Sequence, residues 1–189
     1  MTTLAPTLTT RLLPAVDQKI RDLLLISAGA LLVALLAQVR IPLPFTPVPL
    51  TGQTFAVLLV GAALGSRRGA ASLSLYSLVG ALGLPVFAGG AAGTAYAFGP
   101  TGGYLLGFIV AAYVTGLLAE RGLERSISTS IVPFLAGTLI IYILGAGWLS
   151  VQFGLEKALT LGVLPFLVGD AIKLALAAIA LPAAWKLAK

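Results

Sequence analysis

Apolar residues run through this 189-residue chain in six long stretches, at 20–39, 51–65, 69–84, 101–119, 131–149 and 161–187, separated by short charged or proline- and glycine-rich connections. A bilayer core needs ~20 apolar residues per helix, so six spans use up the chain and leave no room for a separate soluble domain. The composition requires the same solvent: 59% of residues are hydrophobic and 10% charged, far too apolar for a water-soluble fold of this size. The expectation is an all-α membrane protein of six transmembrane helices. Residues 1–18 read as an N-terminal cytoplasmic extension and 19–189 as one membrane-embedded substrate-binding domain. The first apolar run is of full span length, which argues against a cleaved signal peptide.

The basic residues set the orientation. Arg11, Lys19, Arg21, Arg67, Arg68, Arg121, Arg125, Lys186 and Lys189 fall on one side, and only Arg40 and Lys157 on the other. The positive-inside rule places both termini in the cytoplasm, which demands an even number of spans. The net charge of +6 is therefore read as a topology signal and not as a nucleic-acid surface. Without cysteine or histidine, the chain has no disulfides, thiol nucleophiles, or haem or zinc ligands of the usual kind. It also lacks a phosphate loop, a paired-carboxylate acid and a Ser/His arrangement. An enzyme is not expected, and neither is a cofactor or direct use of ATP. The two halves do not repeat one another, which disfavours an inverted-repeat transporter.

Ser66-Arg67-Arg68-Gly69 reads as a tight polar turn, because paired arginines cannot rest in hydrocarbon. The connection at 41–54, IPLPFTPVPLTGQT, carries prolines at 42, 44, 47 and 49 and is expected to be an extended lid or cavity wall. The connection at 85–100, PVFAGGAAGTAYAFGP, is uncharged backbone that can approach a ligand closely, with Phe87, Tyr96 and Phe98 as aromatic surface.

Two charges remain inside a stretch. Asp170 and Lys173 lie nine to twelve residues beyond Leu161, about 13 to 18 Å along an unbroken helix. Each ionised group there costs ~2.5 to 3.5 kcal/mol. Spaced i to i+3, they either neutralise one another or face a cavity and bond a polar ligand; the usual meaning of charge at this depth favours the cavity. Thr51, Gln53 and Thr54 sit where the proline-rich segment meets the second stretch, and Tyr104 opens the fourth as a cavity residue or an interfacial anchor. Small residues four apart, such as Ala30 and Ala34, permit close helix packing.

The strings PVPLTGQT (47–54), GSRRGA (65–70), LGLPVFAGG (82–90), GPTGGYLLGF (99–108) and GVLPFLVGDAIK (162–173) follow one another along the chain. In this the chain resembles the BioY family, the biotin-binding S components of energy-coupling factor (ECF) transporters. The resemblance implies six helices in the cell membrane and a biotin pocket toward the outer face, capped by the outer loops. It also implies assembly with a membrane coupling protein and two cytoplasmic ATPases. Biotin would be the transported ligand, contacted by Asp170, Lys173, Gln53, Thr51, Tyr104 and Phe87, while Ala30 and Ala34 would dock the coupling protein. Ala91-Ala92-Gly93 departs from the more glycine-rich loop expected. Asp170 suits a ureido N–H and Lys173 either a carbonyl or a carboxylate; the ureido end deep at Asp170 is preferred, since buried directional bonds discriminate best. An S component for another small vitamin and a non-transport scaffold are the alternatives.

Overall fold

The computed structural model describes residues 17–187. Most of the extension read from the sequence, together with Arg11 and Lys189, lies outside the described residues. Helix α1 (Gln18–Gln38) starts at Asp17, whose carboxylate accepts from the amides of Lys19 (2.9 Å) and Ile20 (3.3 Å) and so satisfies two orphan donors of the first turn. Strands β1 (Arg40–Ile41) and β2 (Leu50–Thr51) then pair antiparallel, Arg40 opposite Thr51 and Ile41 opposite Leu50. The proline-rich segment is thus a loop pinched at its base, consistent with prolines that cannot donate to a longer ladder.

Helices α2 (Gln53–Leu64) and α3 (Ser66–Ala81) follow, then a 3₁₀ turn (Ala88–Gly90) and the single-turn α4 (Thr94–Ala97). After them come α5 (Gly102–Ala119), a 3₁₀ turn (Leu123–Arg125), α6 (Ile127–Phe153), α7 (Leu155–Gly162), a 3₁₀ turn (Leu164–Phe166) and α8 (Leu167–Leu187). Among the described residues, four helical stretches are long and apolar enough to cross a bilayer: α1, α5, α6 and the run Leu155–Ala183. The two short stretches become α2 and α3, of 12 and 16 residues.

Helix α5 packs against α2, α3 and α6, and Tyr76, Phe108, Ile141 and Leu149 fill the core between them. The outer surface is just as apolar: Leu24, Leu31 and Leu35 on α1 and Val168, Ile172 and Leu176 on α8 are exposed. A helix apolar on both faces is stable only where its surroundings are apolar too.

Two local expectations are corrected. The reversal between α2 and α3 is not a four-residue polar turn; it is Gly65 alone, at φ 87°, with Arg67 and Arg68 already in the first turn of α3. The left-handed conformation admits glycine readily. Glu120, just past the end of α5, caps the new helix, accepting from the Ser66 amide (2.8 Å) and hydroxyl (2.9 Å), and Arg68 pairs with Asp22 of α1 at 2.7 Å. The last stretch is also not one helix. It breaks at Val163–Phe166, where Pro165 has no amide to donate, and restarts at Leu167. Asp170 therefore stands in the first turn of α8, where a carboxylate is favoured by the exposed amides and the positive end of the helix dipole.

Candidate binding site

The break before α8 turns Asp170 and Lys173 toward α2 and α6. Lys173 Nζ donates to Asp170 Oδ1 at 2.8 Å and to Thr54 Oγ1 at 3.0 Å. Thr54 in turn donates to Asp170 Oδ1 at 3.1 Å, and Tyr142 of α6 donates to Asp170 Oδ2 at 2.6 Å. Asp170 is 7% exposed and the Lys173 side chain 17%. The ion pair is thus mutually neutralised, as one reading of the sequence has it. It also borders a cavity, as the other reading has it. The two readings are compatible, because the pair is not saturated: Oδ2 has accepted one bond and the ammonium has donated two of its three protons. One acceptor site and one donor remain side by side.

The cavity encloses about 530 Å³ of empty space, its open mouth included. Its walls are mainly apolar and aromatic. Val48 and Pro49 come from the proline-rich loop, Tyr104 and Phe108 from α5, Ile141 from α6 and Phe166 from the break before α8. Gln53 and Thr51 line it too, tied to each other by Thr51 Oγ1 donating to Gln53 Oε1 (3.1 Å). The Gln53 amide also donates to the buried Tyr76 hydroxyl, fixing the first turn of α2 to α3. Tyr104 is no interfacial anchor: its ring lines the cavity and its hydroxyl donates to the Gly162 carbonyl at 2.6 Å. Thr46 donates to the neighbouring Leu161 carbonyl at 2.6 Å. Two side chains, one from a core helix and one from the loop, thus satisfy consecutive carbonyls at the end of α7.

Of the residues expected at the site, Asp170, Lys173, Gln53, Thr51 and Tyr104 come together. Phe87 does not. It is fully buried behind the wall, stacked on Tyr96 at 5.1 Å and edge-on to Tyr76 at 5.5 Å. Tyr96 is the ring that reaches the cavity, and burial raises its phenol above the usual range. Ala30 is also turned inward, 8% exposed within the core, and Ala34 is half-buried against it; the exposed positions of α1 include Leu23, Leu24, Leu31 and Leu35, with Ser27 and Ala28 between them. Tyr142 was not singled out from the sequence. Nothing in the apolar run of α6 marks its hydroxyl, and only the packing of α6 on α8 brings it to Asp170.

Comparison with known proteins places this fold. Residues 7–189 match the model of the BioY family. The chain belongs to the BioY family. It is 39% identical over 138 residues to the biotin transporter BioY of Rhizobium etli, covering 69% of this chain and 74% of that one. To the biotin transporter BioY of Thermotoga maritima it is 44% identical over 121 residues, covering 64% and 70%. Its fold matches the crystal structure, at 2.1 Å, of the S-component for biotin from an ECF-type ABC transporter. That match has a TM-score of 0.80 at 28% identity over 89% of this chain and 93% of the other. The membrane-spanning helical architecture of this BioY chain is thus that of a known substrate-binding component.

Proposed function

We propose that the protein binds biotin in the cavity above Asp170 and Lys173 and takes it up across the cell membrane as the S component of an ECF transporter. The observation that carries the reading is the unfilled donor–acceptor pair at the bottom of an apolar cavity. A cyclic urea presents an N–H beside a C=O; the N–H can donate to Asp170 Oδ2 and the carbonyl can accept from Lys173 Nζ, both bonds charge-assisted. The thioether ring and aliphatic chain then lie against Tyr104, Phe108, Ile141 and Phe166, with Val48, Pro49 and Tyr96 over them. Gln53 and Thr51, both buried, add polar groups to the lining.

In this reading six helices cross the membrane, with α2 and α3 as the two short spans, both termini are cytoplasmic and the loops close the outer face. The chain carries no nucleotide-binding motif, so uptake driven by ATP needs a membrane coupling protein and two cytoplasmic ATPases. A coupling protein that approaches α1 meets Leu24, Leu31 and Leu35 before Ala30 and Ala34. The protein does no covalent chemistry. The test is equilibrium binding of labelled biotin to the purified chain, with thiamine and riboflavin as competitors. Saturable binding displaced only by biotin is expected. Absence of saturable biotin binding, or displacement by the other vitamins, would defeat the assignment.

A further inference from the structure

A second cavity adjoins the first. It encloses about 680 Å³, open mouth included, and shares Pro49 and Tyr96 with the binding cavity. Its other walls come from both loops, with Arg40, Pro42 and Leu43 on one side and Gly89 on the other. Arg40 is held there by its backbone, since β1 sets it opposite Thr51, which lines the binding cavity. Its guanidinium lies flat against Gly89, where a side chain would collide with it. Gly89 has a φ of +69°, a conformation that glycine adopts at no steric cost.

No Asp or Glu among the described residues lies within ion-pair distance of Arg40. At the bottom of the binding cavity the charges cancel, because Asp170 and Lys173 are paired. An anionic ligand group finds no excess positive charge there, and Asp170 repels it. The nearest unbalanced cation along the cavity walls is Arg40, just beyond Pro49 and Tyr96.

We propose that Arg40, seated on Gly89, forms a carboxylate-binding subsite at the mouth of the cavity and receives the anionic tail of the ligand while its urea head occupies the Asp170–Lys173 end. This rests on the biotin reading and adds to it the orientation of the ligand and the role of a residue outside the main cavity. A guanidinium suits the task because it can hold a carboxylate with two parallel hydrogen bonds.

The test is equilibrium binding of biotin and of biotinamide, whose tail is an uncharged amide, to the full chain in uncharged phosphatidylcholine nanodiscs. The wild type is expected to prefer biotin by about five- to tenfold, the size of a partly exposed charge-assisted contact. Arg40→Gln should abolish that preference by weakening biotin alone, and Arg40→Lys should restore part of it. Unchanged biotinamide binding by R40Q verifies that the variant is folded. Equal weakening of both ligands, or wild-type biotin affinity in R40Q, would overturn the subsite and leave the biotin reading standing. Failure of the wild type to bind either ligand would bring down both.

Discussion

Asp170→Asn tests the site most directly, because the change is nearly isosteric and removes one charge. In the protein, Asp170 accepts from Tyr142 (2.6 Å), Lys173 (2.8 Å) and Thr54 (3.1 Å). An asparagine keeps one acceptor oxygen, and its amide can serve neither the lysine nor a ligand N–H. Two effects follow, and they are separable. Breaking a buried pair on one side costs about 3–5 kcal/mol of stability; Lys173 keeps Thr54 and some solvent, which puts the expected loss nearer about 2–3 kcal/mol. Losing a hydrogen bond between a ligand N–H and a carboxylate costs about 1.5–3 kcal/mol, or about 10- to 150-fold in Kd. Adding Lys173→Met separates the two, since removing both charges leaves no unpaired ion. The double variant should recover thermal stability, followed by tryptophan fluorescence in detergent, yet still bind biotin weakly by titration calorimetry. If affinity returns with stability, Asp170 only holds the helices together and the ligand contact is wrong. Wild-type affinity in the single variant would refute the same step.

Two further outcomes follow from the surrounding contacts. Thr46→Val removes the 2.6 Å bond from the proline-rich loop to the Leu161 carbonyl. At about 1 kcal/mol for such a bond, biotin should dissociate about fivefold faster in a chase experiment, and an unchanged rate would show that this bond does not hold the loop closed. Phe87→Ala empties a fully buried ring site between Tyr96 and Tyr76, at about 3–5 kcal/mol. Its thermal midpoint should fall much further than its biotin affinity, and a specific loss of affinity at unchanged stability would return Phe87 to the ligand site.

The site was partly legible because charge in an apolar run is rare and has few explanations: Asp170 and Lys173 stand out without any structure, and Gln53 and Thr51 stand out as the first polar groups after four prolines. Tyr142 and Phe87 show the limit. A tyrosine in a membrane helix and a phenylalanine in a glycine-rich loop carry the same local signal whether they face a ligand, lipid or the core. The neighbours that decide it, Asp170 across the cavity and Tyr96 in front, are distant in sequence or set by loop geometry.

The sequence alone determined the solvent, the helical class, the proline-rich and glycine-rich loops and the identity of the charged pair, because hydropathy, proline and charge act over a few residues. The tertiary structure decided how the pair is used. It broke the last apolar run at Pro165, so that Asp170 and Lys173 turn from mid-helix positions into the start of α8, facing Thr54 and Tyr142. It also turned Ala30 inward and laid Arg40 on Gly89. Each of these depends on which surfaces pack together, a long-range balance of apolar contact and hydrogen bonding that local pattern does not encode.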